Sequence, residues 1–148
     1  MIMKTVDLSK YMGIPFKTRS FNKEEGLDCL TFILYFLEQE FGYKFDTNNV
    51  PEYGTYWYMN YKIRDIYIQN LRDYCTLREY DKKTRILPFE LLLFSYFNEK
   101  EAITHVGIYV GDNKFIHCVQ DAGVCVANLK SFERALKWVG RVNNVEYI

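Results

Sequence analysis

The spacing of apolar positions changes along the chain. Leu30, Ile33, Leu34, Leu37 and Phe41 recur at steps of three and four, the period of a helix with one buried face. Asp28 stands where an N-cap belongs and Gly42 where a helix ends. A second run with this period passes through Ile63, Ile66, Tyr67, Asn70, Leu71 and Tyr74. Residues 91–97 then form a short apolar run that suits a strand buried on both faces. Residues 106–110 are β-branched and alternating, Gly111-Asp112-Asn113 is a turn signal, and 114–119 and 124–129 read as further strands. A short helix at 131–136 and a strand at 138–142 close the pattern. Ahead of the first helix, 1–27 reads as loop, with one or two helical turns at 7–12 stopped by Gly13. Helices first and a meander afterwards predict an α+β fold, with a single domain over 1–148.

Composition narrows the function classes. A chain of 148 residues is long enough to bury a full core without covalent staples. No apolar run approaches the ~18–20 residues of a membrane span. The 19 basic and 19 acidic residues cancel, so the basic excess of a nucleic-acid binder is absent. The aromatic share of 18% is high and predicts a ring-rich core or an aromatic-lined groove. The first residues carry no apolar stretch of the kind that directs secretion. Cys29, Cys75, Cys118 and Cys125 are therefore expected as free thiols, mostly buried.

Three residues suggest chemistry. Cys29 opens the first helix, where unpaired amides and the helix dipole favour a thiolate and stabilise an oxyanion. His105 and His117 are the only histidines, and both lie on strands flanking the 111–113 turn. A two-residue turn at Asp112-Asn113 would put them on opposite faces. A three-residue loop, Gly111-Asp112-Asn113, would pair 107 with 117 and put both on one face, and this is the expected geometry. Cys29 as nucleophile, His105 as base and His117 as the group that orients it then make a cysteine hydrolase. A small apolar residue and two ordinary sheet histidines is the plainer reading of the same positions. Zinc is disfavoured, because adjacent His117 and Cys118 point to opposite faces and no CxxC or HxxxH spacing occurs. No metal or organic cofactor is expected.

Gly26-Leu27-Asp28-Cys29 at the start of an amphipathic helix resembles the nucleophile motif of the NlpC-type cysteine peptidases, Gly-Phe-Asp-Cys-Ser-Gly. Residues 105–117, His-Val-Gly-Ile-Tyr-Val-Gly-Asp-Asn-Lys-Phe-Ile-His, resemble the histidine block of that family over its full length. Ile14-Pro15-Phe16 looks like its entry segment. The resemblance implies a circularly permuted papain-like fold, with the nucleophile helix packed on an antiparallel sheet. It implies catalysis by Cys29, His105 and His117 on stem peptides of bacterial peptidoglycan, with Phe16, Asp28 and Arg19 on the substrate side. Residues 46–87 match nothing in the family pattern and read as a helical insertion. Leu30-Thr31 replaces Ser-Gly, Pro88-Phe89-Glu90 replaces a Gly-Asp turn, and Phe16 lacks the hydroxyl of the usual Tyr. Tyr11 and Tyr109 are candidates to supply that hydroxyl. The short chain is similar to tail-associated members of phages, which implies phage-tail or phage-like particle proteins as partners and delivery to the wall by a tail or secretion assembly. A non-catalytic interaction module of such an assembly, or a lipid acyltransferase or thioesterase on the same fold, are the alternatives.

Overall fold

The computed structural model describes residues 5–44, 71, 75–95 and 103–143. Among these residues a short 3-10 helix, Leu8–Lys10, precedes the helix α1, Cys29–Phe41. Six strands follow: β1 Cys75–Glu79, β2 Leu91–Phe94, β3 His105–Gly111, β4 Lys114–Val119, β5 Gly123–Asn128 and β6 Leu136–Val142. A further 3-10 helix, Leu129–Ala135, joins β5 to β6. The strands form one antiparallel sheet in the order β1-β6-β2-β3-β4-β5. The fold is the expected α+β arrangement, with α1 packed on β3 and β4.

The stretch at 75–79 differs from the sequence reading. The helical insertion was expected to run to about 87, but Cys75–Glu79 pairs with β6 as an edge strand. Its Cys-Thr-Leu-Arg-Glu sequence has too few apolar positions to show alternation. The second predicted helix, at 63–74, lies outside the described residues except for Leu71, which is helical and buried.

The sheet separates two apolar clusters. Leu91 and Leu93 of β2, Val106 and Ile108 of β3, and Ile116 and Cys118 of β4 pack with α1. Leu92 and Phe94, with Phe115, Leu129, Leu136 and Val139, pack on the other side. All four residues of β2 are buried, as its unbroken apolar run predicted. Helix α1 is buried more widely than its stripe of Leu30, Ile33 and Leu37. Phe32 and Phe36 are fully buried too, because Tyr11 lays its ring against both, 6.0 and 5.0 Å between centroids. The Tyr11 hydroxyl bonds the carboxylate of Glu40 in the last turn of α1, and Lys10 Nζ reaches the same group at 2.6 Å. These partners offset the cost of burying Glu40.

The residues before α1 are fastened twice. Val124 N–H donates to Ile14 O (2.8 Å) and Gly13 N–H to Val124 O (3.0 Å). Phe16 and Leu27 form a parallel bridge, with Leu27 N–H on Pro15 O at 2.8 Å and Lys17 N–H on Leu27 O at 3.1 Å. Such closeness leaves no room for a side chain at Gly123, whose Cβ would lie 2.2 Å from Ile14 O. Gly13 also has a positive φ, yet a Cβ there meets nothing. The pair separates two costs. Gly13→Ala carries only the left-handed penalty, about 1–2 kcal/mol. Gly123→Ala carries that plus roughly 1–3 kcal/mol of displaced backbone. Urea unfolding of the two variants should show the larger loss at Gly123, and equal losses would refute the fastening of the entry segment.

Candidate active site

Both predicted histidines face the same side of the sheet, by a route that differs from the expected loop. The β3–β4 turn has two residues, not three: Gly111 pairs with Lys114, and Asp112 and Asn113 both have positive φ, 52° and 61°, as a type I′ turn requires. Further from the turn, Tyr109 pairs with Phe115 and Ile108 with Ile116. Val110 is therefore an extra residue, a β-bulge. The bulge shifts the register by one and recreates the facing that a three-residue loop would have given.

The two rings meet directly. His105 Nε2 lies 2.8 Å from His117 Nδ1. Both residues are nearly sealed, 4% and 3% exposed. Phe94 lies 5.9 Å from the His105 ring, and Phe115 and Phe132 lie 4.6 and 6.0 Å from the His117 ring. Gly107 makes room for this wall, since a Cβ there would sit 2.7 Å from the Phe115 ring. Burial disfavours imidazolium. It pushes His105 down to about 3, with the neighbouring His117 adding to the effect, and His117 down to about 4. Neutral rings of this kind share one proton, His105 donating to His117 or accepting from it according to tautomer.

Cys29 is the first residue of α1 and is buried. Asp28 caps the helix. Its Oδ1 accepts from Leu30 N–H (3.0 Å), Thr31 N–H (2.9 Å) and the Thr31 hydroxyl (3.1 Å). Thr31 Oγ1 in turn accepts from Asp28 N–H at 2.9 Å, which completes a capping box. Asp28 Oδ2 accepts from the backbone N–H of Arg19 at 2.7 Å, and Arg19 is held with φ 54°. The carboxylate expected on the substrate side is thus spent on the helix tip and the preceding loop. Amides of the α1 tip were expected to hold an oxyanion, and two of them, those of Leu30 and Thr31, donate to Asp28.

The helix tip and the histidines lie at one end of the sheet, the tip packed with the α1-side cluster and the rings against Phe94 and Phe115 of the other face. The Cys118 thiol donates to Leu27 O at 3.0 Å, so the residue two before Cys29 sits over β4 on the face that Cys118 presents. In an antiparallel hairpin this is the end away from the turn, where His105 begins β3. His117 and Cys118 do face opposite sides of the sheet, one to His105 and one to Leu27. Tyr11 and Tyr109 do not supply the missing hydroxyl. The first bonds Glu40 at the far end of α1, and the second accepts from Asn113 N–H at the hairpin turn, 3.1 Å away. Phe16 is half-buried and packs against the α1 core. The Phe94, Phe115 and Phe132 wall was not singled out in sequence. The high aromatic share was its only signal.

All four cysteines are free thiols, and only Cys125 is not buried. Among the described residues no group of three or more His, Cys, Asp or Glu side chains is placed to hold a metal. Nor is any helix among them long and apolar enough to cross a membrane.

A helix that opens on a cysteine and packs on an antiparallel sheet carrying a buried histidine pair is a papain-like arrangement in permuted order. The NlpC/P60 family model matches residues 13–141, and the chain belongs to that family of cysteine peptidases. Solved structures share the fold. The NlpC/p60 domain of the peptidoglycan hydrolase SagA aligns with TM-score 0.57 at 18% identity, over 89% of this chain and 90% of that one. A family member from Bacillus cereus ATCC 10987 aligns with TM-score 0.61 at 18% identity, over 88% of this chain and 36% of its own. A lipoprotein-like member from Staphylococcus aureus Mu50 gives 0.58 at 20% identity, over 90% and 38%. No curated protein sequence matches the chain.

The depressed histidines link stability to pH. Unfolded, each titrates near 6.5. Below that pH the unfolded chain binds protons that the folded chain refuses, so stability is whole above 6.5 and falls as pH drops towards about 4. The slope is at most about 1.4 kcal/mol per pH unit for each ring. Urea midpoints should fall from pH 7 to about pH 5, and less steeply in His117→Asn than in the natural chain. Parallel curves for the two proteins would show that His117 is not held neutral by the fold.

Proposed function

We propose that this protein hydrolyses amide bonds in the stem peptides of bacterial peptidoglycan, with Cys29 as nucleophile, His105 as base and His117 as the residue that orients it. The observation that carries the reading is the buried 2.8 Å bond between His105 Nε2 and His117 Nδ1. That bond occupies Nε2 and leaves Nδ1 as the nitrogen of His105 to take up the proton. The kinship with a peptidoglycan hydrolase domain supports the choice of substrate.

The reaction follows from neutral partners. Depressed basicity keeps His105 uncharged at neutral pH, so the Cys29 thiol passes its proton to Nδ1 as sulfur attacks the carbonyl carbon. The imidazolium exists only while it neighbours the developing negative charge. It then gives the proton to the leaving amine, and the acyl group stays on sulfur. A water repeats the sequence in reverse order and frees the acid and the thiol. His117 fixes the tautomer and the plane of His105 through both steps. Arg19, set on its strained loop against Asp28, is a candidate for the carboxylates of the stem peptide. Delivery to the wall by a phage tail or a secretion assembly belongs to the same proposal.

The decisive experiment is mass spectrometry of purified sacculi digested with the protein, which detects release and identifies the bond. Cys29→Ser should lose release by roughly a thousandfold or more, and His117→Ala should lower kcat by roughly a hundredfold. Burial pushes the thiols of Cys75 and Cys118 up to about 12 and raises Cys125. Iodoacetamide at neutral pH should therefore label Cys29 first. Undiminished release by Cys29→Ser would end the proposal.

A further inference from the structure

The ring wall around the histidine pair has members of two kinds. Phe94 and Phe115 belong to strands and are fully buried. Phe132 is half-buried and comes from the 3-10 helix Leu129–Ala135, which crosses outside the sheet. That helix is tied down on every side of Phe132. Asn128 caps it through Lys130 N–H (3.1 Å), and Leu129 N–H donates to Asn113 O (2.8 Å). The Tyr80 hydroxyl donates to Glu133 (2.9 Å), and Ser95 N–H to Ala135 O (2.8 Å). The fastening holds the Phe132 ring at right angles to two neighbours, 88° to Phe115 and 81° to His117.

A histidine ring turns easily about its outer torsion, which has broad and roughly two-fold preferences. The hydrogen bond to His105 needs one orientation of the two, since only that one presents Nδ1. Phe115 stands 4.6 Å from the His117 ring at 66°. Phe132 stands 6.0 Å from it. We propose that Phe132 is a positioning residue for the histidine pair, closing the His105–His117 hydrogen bond off from water and holding the His117 ring in its bonding orientation. Its bearing on hydrolysis rests on the proposed roles of those histidines, whereas the positioning itself does not. The polar groups around His117 have other places. His105 of β3 is its partner, and Cys125 of β5 is its cross-strand neighbour. Cys29 and Asp28 belong to the tip of α1. Glu133 is engaged by Tyr80, while Lys130 and Arg134 of the same helix are exposed. None of them replaces the ring as a cover.

The test is NMR of the imidazole nitrogens in the full chain. In the natural protein the shared ring proton should appear as a slowly exchanging downfield signal. In Phe132→Leu, which keeps an apolar side chain but loses the flat ring, that proton should exchange at least about tenfold faster. His117 should also titrate about one unit higher, towards its ordinary value. Phe132→Tyr should restore both. If Phe132→Leu does not fold, Phe132→Met provides the same comparison. An unchanged proton signal and unchanged His117 titration in a folded variant would overturn the proposal. On sacculi, Phe132→Leu should lower kcat with KM unchanged. Should the natural protein release nothing while the NMR changes are seen, the proposed function fails and the positioning stands.

Discussion

The contact on which the site depends is one nitrogen-to-nitrogen hydrogen bond between two buried rings, His105 and His117. It constrains several features that look unrelated in sequence. The strands must meet in a register that faces both rings the same way, which the bulge at Val110 provides. Water must be kept out, which needs rings on three sides. A flat ring must lie across β3, which needs a residue without a side chain at Gly107. A buried polar pair of this kind is favourable only when its hydrogen bonds are complete. The turn, bulge, glycine and aromatic wall therefore act together, and the loss of any one leaves a desolvated nitrogen without its partner.

A second hub sits at the other half of the site. The Asp28 carboxylate takes three groups of the first turn of α1 and one amide of the loop before it. This fixes the helix tip relative to the chain that approaches it, and the Leu27–Cys118 bond fixes both relative to β4. Two amides of the α1 tip, those of Leu30 and Thr31, are thereby occupied. In the proposed reaction an oxyanion would then take its hydrogen bonds from donors other than these two. The negative carboxylate also stands at the positive end of the helix, where it opposes a permanent thiolate. Together with histidines kept neutral by burial, this favours proton transfer in step with attack over an ion pair formed in advance.

Much of the fold was legible because the signals were local and repeated. The α1 stripe, the capping Asp28, the apolar β2 and the alternation of β3 and β4 each combine several residues. The second face of α1 was not legible, because Tyr11 covers it from a segment with no periodic pattern of its own. The β3–β4 turn shows a subtler limit. The sequence called for both histidines on one face, and a loop length was inferred to supply it. The structure supplies it by a bulge, which depends on how the hairpin twists and packs, and no residue type at Val110 marks it. Strand β1 was hidden for the same reason: an edge strand held by one neighbour needs little apolar alternation. The ring wall joins residues from β2, β4 and the 3-10 helix, so only the folded chain brings it together.

The departures from the family pattern bear on whether the site is kept for chemistry. Thr31, in place of a glycine, supplies the hydroxyl of the capping box. Phe89, in place of another, takes φ 71° that a glycine adopts more readily. Its ring is buried against Phe41 at 5.6 Å, and its N–H bonds Tyr109 O at 2.6 Å. Glu90, in place of an aspartate, holds Arg78 through both oxygens and accepts from Leu87 N–H. Each change is thus absorbed by a contact that preserves the local backbone. A module that had given up catalysis and kept only its shape would have no reason to bury two neutral histidines against each other, since apolar side chains of similar volume would fill that space without the desolvation cost. The retention of that pair, with a thiol at the same end of the sheet, is the physical argument for an enzyme over a binding module.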